Sequence, residues 1–494
     1  MLYTSTRQEL NNVTATKAIL QGISNEGGLF VPVSIPKIDF EISDLAGWSY
    51  QEVAYNVMKL FFDEIKEEDL KNCINSAYDA KFDTTEIAPL VHTSDANYLE
   101  LFHGPTIAFK DMALSILPYL MLTSKRYNNE EKDIVILTAT SGDTGKAALE
   151  GFANVDGTKI IVFFPQDGVS KVQKQQMLTT VGDNTFVVGV HGNFDDCQST
   201  VKEIFNDKEF AEELAKHNCQ FSSANSINVG RLIPQVAYYF AAYGKMVRDG
   251  KIQSGEAMNV VVPTGNFGNI LAAYYAKNMG LPIAKLVCAS NSNKVLFDFF
   301  QTGTYDRNRE FILTASPSMD ILISSNLERL LYHISGENVA TVDKLMKELK
   351  EDGKYTITPE MKEGLKDFAG GYADDAKTQA VIKEVYDKEG YLMDTHTAVA
   401  YAVYKDYVEA TNDTTPTVIV STASPYKFTH SVMTALDKEA YDNVDDFELL
   451  EKMHDILGGA VPSAIDNIAN RPINHKTVCD VAEMKDVVRN FLSK

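Results

Sequence analysis

Short runs of β-branched and apolar residues without polar alternation recur through the middle of the chain, separated by stretches with helical potential. Ile134-Val135-Ile136-Leu137, Ile160-Ile161-Val162-Phe163-Phe164 and Phe186-Val187-Val188 alternate with helical stretches at about 141 to 154 and about 170 to 181. A strand with no polar face is covered on both sides, so this spacing predicts a parallel sheet sandwiched by helices. The pattern then returns. A long helix from about Val229 to Val247 leads to a strand at Asn259-Val260-Val261-Val262-Pro263 and a helix through Ala276, with further strands at Leu286-Val287-Cys288 and Val418-Ile419-Val420. The simplest fold is α/β: two adjacent open parallel-sheet units with a cleft between them, the usual place for a ligand.

The flanks read differently. Residues 1–95 are expected to form a mostly helical domain, because Val53, Val57, Leu60 and Phe61 fall at i, i+4, i+7 and i+8 on one helical face. Asn25-Glu26-Gly27-Gly28-Leu29-Phe30-Val31-Pro32 is a glycine turn entering a short apolar segment. The core is then 96–436, its smaller subdomain at about 130–190, with a charged helical insertion at about 338–389. Residues 437–494 form an acidic helical segment broken at Pro462 and Pro472.

Composition narrows the function. At 494 residues, two or three domains are the expectation, and a hydrophobic fraction of 45% makes them globular. A net charge of -22 argues against a nucleic-acid binder, which needs a basic face to displace counterions. Any anionic ligand must be met by a local positive site. The five cysteines are scattered and never in C-x-x-C spacing, against both a disulfide framework and a zinc site. Met1-Leu2-Tyr3-Thr4-Ser5-Thr6-Arg7 lacks the features of a secretory signal, and no apolar run reaches the roughly 20 residues of a membrane span. A cytoplasmic protein with reduced cysteines is expected, with no bound metal and neither nucleic-acid nor membrane partner.

Four segments and one lysine carry candidate chemistry. Lys110 follows Ala108-Phe109 at the start of a helix behind a Gly104-Pro105 turn; desolvation there would make it a competent amine nucleophile, while a stem that packs and an ammonium that reaches water is the plain alternative. Thr264-Gly265-Asn266-Phe267-Gly268-Asn269 joins a buried strand to a helix, and is either a phosphate cradle or an ordinary glycine turn. Thr138 to Ala147 places four hydroxyls at another strand-helix junction. Its Gly145-Lys146 suggests a P-loop, but only two residues separate Gly142 from Gly145 and Ala147 follows the lysine, so the spacing fails. Ser141 or Asp143 there is a helix cap, an anion ligand, or both. Ser223 to Arg231 offers amides, hydroxyls and a guanidinium fork, and Val420 to Phe428 ends a buried strand in hydroxyls. Together these supply the parts of a pyridoxal phosphate site: an imine-forming lysine, a phosphate anchor, a ring-nitrogen partner and a carboxylate pocket.

The motifs resemble the threonine synthase family, of the tryptophan-synthase-β-like pyridoxal phosphate enzymes called fold type II. The resemblance runs through Gln21-Gly22, Gly27-Gly28-Leu29-Phe30, His103 to Asp111, Ser141-Gly142-Asp143-Thr144-Gly145, Asn225-Ser226-Ile227-Asn228, Gly265 to Asn269, Asp394-Thr395-His396-Thr397-Ala398 and Ser421-Thr422-Ala423. It implies that Lys110 holds pyridoxal 5'-phosphate and shuttles protons. It further implies that Gly265, Asn266, Phe267, Gly268 and Asn269 hold the cofactor phosphate, that Thr422 meets the ring nitrogen, and that Asp143 flanks the ring. Ser141, Gly142 and Thr144 would receive the substrate carboxylate, and Asn225, Ser226 and Arg231 the leaving phosphate. The implied reaction is O-phospho-L-homoserine and water to L-threonine and phosphate, by a lyase that is monomeric rather than dimeric. One departure stands out: Ser424 and Tyr426 occupy positions where many relatives carry His and Ala. A dehydratase or β-replacement enzyme of the same fold, or an inactive ligand-binding homologue, would share most of these features.

Overall fold

The computed structural model describes residues 1–9, 12–140, 142–167 and 169–493. Two open sheets dominate it. The larger runs Phe368–Tyr372, Ile283–Ser290, Met258–Pro263, Thr417–Ser421, Asn97–Glu100, Leu90–His92, parallel throughout except for the last strand. The smaller runs Thr477–Asp480, Thr185–His191, Thr158–Pro165, Asp133–Ala139, Cys219–Ser222, all parallel. The expected parallel α/β architecture is present, and the apolar runs account for it: Ile134 to Ile136, Ile160 to Phe164 and Val260 to Val262 are buried on both faces.

Register brings the candidate loops together. Val418 pairs with Asn97, and Val260 and Val261 pair with Val418 and Ile419, so three adjacent strands end at one edge of the larger sheet. From that edge leave the Lys110 loop, the 264–269 turn and the 422–428 segment; the 140–145 loop leaves the carboxyl end of Asp133–Ala139 in the smaller sheet. Ligands of open α/β sheets bind outside the carboxyl ends of their strands. Helix Val229–Arg248, buried from Val229 to Met246, starts directly after the 223–228 loop and fixes its position.

Several sequence expectations need correction. The stretch at 338–389 is not a helical insertion, because Phe368-Ala369-Gly370-Gly371-Tyr372 is the edge strand of the larger sheet and Lys354–Thr356 pairs with Thr304–Asp306. Two glycines and no β-branched residue hide that strand from a propensity reading. The smaller subdomain is not confined to 130–190, and the 437–494 segment is not wholly helical, since Cys219–Ser222 and Thr477–Asp480 complete its sheet. The N-terminal region adds a three-stranded antiparallel sheet from Leu2–Ser5, Val13–Thr14 and Phe30–Pro32 to its helices. Its Tyr50–Met58 helix carries Val53 and Val57 but stops before Leu60 and Phe61.

Among the described residues, no helix is long and apolar enough to cross a membrane. All five cysteines are buried free thiols.

Candidate active site

The Lys110 loop is strapped to the end of the Thr417–Ser421 strand by backbone hydrogen bonds. Leu101 N–H donates to Ser421 O at 2.9 Å, Phe109 N–H to Thr422 O at 2.8 Å, and Ser424 N–H to Ile107 O at 3.0 Å. Ile107 sits at φ 54°, a left-handed conformation a β-branched residue rarely adopts and which the surrounding contacts enforce. Inside the turn, the Asp111 carboxylate takes the Thr106 N–H at 2.8 Å and hydroxyl at 2.6 Å, and burial raises its pKa to about 6 despite those bonds. A Cβ on Gly104 would lie 2.6 Å from that of Asp111, so only glycine permits the approach.

Lys110 therefore enters the cleft from a rigid turn. Its side chain is 13% exposed and its Nζ stands 4.0 Å from Asp143 Oδ2. Burial holds its ammonium below the ordinary lysine range; Asp143 opposes that shift, and Lys427 and Arg231 add to it. The amine is thereby predisposed to lose its proton. This is the desolvated reading of Lys110 rather than the snorkelling one.

Asp143 opens helix Asp143–Phe152 and is the most connected acid in the cleft. Gln173 Nε2 donates to Oδ1 at 2.8 Å, Ser318 Oγ donates to Oδ2 at 3.2 Å, and Lys427 Nζ lies 3.2 Å from Oδ1. Burial pushes its pKa up, but Lys427 and Lys110, with the Gln173 bond, hold it well below the usual carboxylate range. Thr140 Oγ1 shapes the loop by accepting the Gly142 and Gly145 N–H groups, each at 3.0 Å. The N-cap residue Gly142 has no side chain to cap the helix, and among the described residues Thr140 takes only the Gly145 N–H of its first turn, which leaves the Asp143 and Thr144 N–H groups for an anion. Lys146 turns away to Glu150 and Thr180, so the P-loop reading fails on geometry as well as spacing. Ser141 lies outside the described residues.

The 264–269 turn has the same uncapped character. Phe267 adopts φ 63°, and helix Gly268–Met279 begins with no side-chain cap. Ser324 Oγ donates to Gly265 O at 2.6 Å and Asn326 Nδ2 to Asn266 O at 3.0 Å, which fixes the carbonyls outward from the turn. A Cβ on Gly265 would meet Ser318 O at 2.7 Å, so the Ser318 segment packs directly against the turn. Asn269 Oδ1 accepts the Tyr238 hydroxyl at 2.6 Å and that of Tyr239 as well, whereas its buried Nδ2 has no partner. A buried amide N–H₂ with no protein partner is a candidate donor to a ligand or an ordered water.

A second candidate anion partner is Arg231. Arg231 is 4% exposed, and its Nη1 donates to Ala224 O at 3.1 Å. Its buried Nε has no partner, and desolvation alone lowers its pKa to about 10. No acid pairs with this guanidinium in an acidic protein among the described residues, although burying a lone charge is costly. Asn225 is exposed at the loop tip and Ser226 half-buried, with Ser226 O accepting from Asn326 Nδ2 at 3.3 Å. Asn326 thus touches both the 264–269 turn and the 225–226 loop. Asn228, by contrast, is a helix cap, its Oδ1 accepting the Gly230 N–H at 2.8 Å.

Thr422 is buried at the strand end, tied through its carbonyl to Phe109. Ser424 caps the turn after it by accepting the Tyr426 N–H at 3.4 Å, and Tyr426 reaches His454 at 3.4 Å. Four groups beside Asp143 escaped the sequence reading: Gln173, Ser318, His396 and Lys427. His396 donates from Nδ1 to Asp394 at 2.7 Å and accepts the Ser318 N–H on Nε2 at 3.1 Å, which fixes its tautomer and places Ser318. Lys427 and His396 sit inside recognisable motifs. Gln173 and Ser318 lie in none.

The uncapped 264–269 turn, the unpaired Asn269 amide and the desolvated Lys110 amine fit a phosphorylated carbonyl cofactor, pyridoxal 5'-phosphate. Family models described as threonine synthase N terminus, pyridoxal-phosphate dependent enzyme and threonine synthase C-terminal match residues 2–78, 98–423 and 397–488. The chain is 38% identical to threonine synthase of Saccharomyces cerevisiae over 466 residues, 88% of this chain and 89% of that protein. It is 41% identical over 434 residues to human threonine synthase-like 1, covering 85% of this chain but spanning only 58% of that longer relative. A crystal structure of pyridoxal-phosphate-bound threonine synthase from Brucella melitensis superposes with a TM-score of 0.88 at 37% identity, covering 100% of both chains.

Proposed function

The chain belongs to the threonine synthase family of pyridoxal-phosphate-dependent enzymes, and from that membership we propose that it is a lyase converting O-phospho-L-homoserine and water to L-threonine and phosphate. The reading is supported by two groups that could each meet an anion, the uncapped start of the helix after the 264–269 turn and the Arg231 guanidinium, whose buried Nε has no partner among the described residues. A cofactor phosphate needs one. A substrate phosphate needs the other, and a dehydratase acting on unphosphorylated serine or threonine has no use for it.

In this reading Gly265, Asn266, Phe267, Gly268 and Asn269 hold the cofactor phosphate through N–H donors at a helix start, and Thr422 meets the ring nitrogen. When bound, pyridoxal phosphate supplies an electron sink conjugated to the substrate α carbon. Lys110 anchors the cofactor and, as a desolvated amine, takes and returns protons at the α and β carbons. Gly142 and Thr144, with Ser141, receive the substrate carboxylate. Arg231, with Asn225 and Ser226, holds the γ phosphate and stabilises its departure as charge builds on the leaving oxygen. Ser318 and Gln173 keep Asp143 turned toward Lys110. The enzyme acts as a cytoplasmic monomer.

Purified protein supplied with O-phosphohomoserine should release threonine and phosphate in equal amounts. Phosphate without threonine would indicate a lyase that aborts before water adds, and faster turnover of free serine or threonine would indicate a dehydratase.

A further inference from the structure

The cleft holds a second buried lysine for which the reaction, as derived above, has no use. Lys427 is 1% exposed, more enclosed than Lys110, and stands on the short turn Pro425–Phe428. Its Nζ lies 3.2 Å from Asp143 Oδ1 and donates to Thr106 O, in the Lys110 loop, at 3.1 Å. Lys110 Nζ approaches the other oxygen of the same carboxylate, at 4.0 Å. One carboxylate thus faces two ammonium groups, and the closer, better-bonded one is not the proposed anchor.

We propose that Lys427 is a positioning residue: it takes Asp143 as its own counter-ion, so that Lys110 is not locked as that carboxylate's partner and its amine stays free to attack a carbonyl. The inference rests on the reading of Lys110 as the cofactor anchor. Attachment needs the nitrogen lone pair, because the amine adds to the carbonyl carbon, a C=N bond replaces C=O, and one water leaves. A buried Asp143 facing Lys110 alone would hold it as the ammonium, which has no lone pair to give. The charged groups acting on Lys110 are Asp143 and Asp111, which favour its protonated form, and Lys427 and Arg231, which oppose it. His396 also faces Asp143. Lys427 belongs to the opposing set, and its bond to Thr106 O ties that charge to the loop it serves.

The test uses the full-length chain freed of cofactor. Pyridoxal 5'-phosphate is added at pH 6 to 10, borohydride traps the adduct, and peptide mapping locates it. In the unsubstituted protein the adduct should map to Lys110. In Lys427→Met the pH at half-maximal trapping should rise by about one unit, so that at neutral pH the adduct forms about 10-fold more slowly. Lys427→Arg, which keeps the charge, should restore the original profile, an outcome that a purely structural role would not produce. Asp143→Asn should move the midpoint downward, and this arm stands on its own if Lys427→Met fails to fold. An adduct on Lys110 whose midpoint ignores Lys427, or Asp143 in its absence, overturns the proposal alone. An adduct that persists in Lys110→Ala overturns the anchor assignment and this proposal with it.

Discussion

The N–H of Phe109 donates to the carbonyl of Thr422 at 2.8 Å, so the residue before the proposed anchor lysine is pinned to the residue proposed to meet the cofactor ring. With the neighbouring bond from Ser424 N–H to Ile107 O, this makes a short antiparallel bridge between the lysine loop and the end of a central strand. The bridge uses backbone groups only. The Lys110 side chain can therefore be removed without dismantling its loop.

Lys110→Ala should abolish turnover and the absorbance band near 410 nm, about where protonated pyridoxal imines absorb. Thermal unfolding of the cofactor-free protein should change little, because among the described residues the lost side chain makes no hydrogen bond. Retained turnover would move the anchor elsewhere.

Arg231→Met separates binding from stability. Among the described residues the guanidinium is buried without an acid, and its one hydrogen bond is to the Ala224 carbonyl. Removing a buried guanidinium that no acid pairs relieves its desolvation cost. The melting temperature of the cofactor-free variant should therefore hold or rise, while kcat/KM for O-phosphohomoserine falls by about 100-fold or more and the cofactor still binds. Loss of the cofactor would assign Arg231 to the other phosphate.

Much of this site is legible in the chain because its loops follow apolar strands at junctions where glycine and hydroxyl residues cluster. Gly265 to Asn269 and Gly142 to Gly145 can be found from local pattern alone. The charges that tune them cannot. Lys427 lies in a quoted motif, yet a lysine after Pro425-Tyr426 reads as solvated until the fold buries it against Asp143, nearly 300 positions earlier. Ser318 is placed by His396, far along the chain, and Gln173, though its helix is local, finds its Asp143 partner 30 positions away. The same non-locality hid the edge strands Phe368–Tyr372 and Thr477–Asp480, which are held by neighbours from distant parts of the chain.

Asn269→Asp tests the phosphate cradle by charge alone. The new carboxylate can still accept the Tyr238 and Tyr239 hydroxyls that now bond to Asn269 Oδ1, so the fold is preserved. Its second oxygen replaces the unpaired Nδ2 and would face the phosphate with like charge. Equilibrium dialysis should show cofactor affinity falling by roughly 100-fold, about 2.7 kcal/mol, and because a buried carboxylate without a cation is costly the cofactor-free variant should melt below the unsubstituted protein while keeping its secondary structure. Unchanged affinity would place the cofactor phosphate away from this turn.

His103 predicts how stability depends on pH. Its two ring nitrogens are held by Asp83 at 2.5 Å and Glu100 at 2.8 Å, and Glu100 also accepts the Tyr391 hydroxyl at 2.9 Å. Burial works against the imidazolium, but the bonds to Asp83 and Glu100 outweigh it and raise the pKa to about 9. A folded pKa above the unfolded value of about 6.5 means that the folded state binds the proton more tightly. The resulting stabilisation is complete below about pH 6.5 and is lost as pH rises through about 9, to the order of 2 kcal/mol. Denaturant unfolding measured from pH 6 to 9.5 should show this decline in the unsubstituted protein. In His103→Gln, which keeps hydrogen-bonding capacity without the charge, stability should be lower at pH 6 and the slope across this window should flatten. A slope that survives the substitution would show that another group titrates there and that the Asp83 and Glu100 contacts do not hold a charged ring.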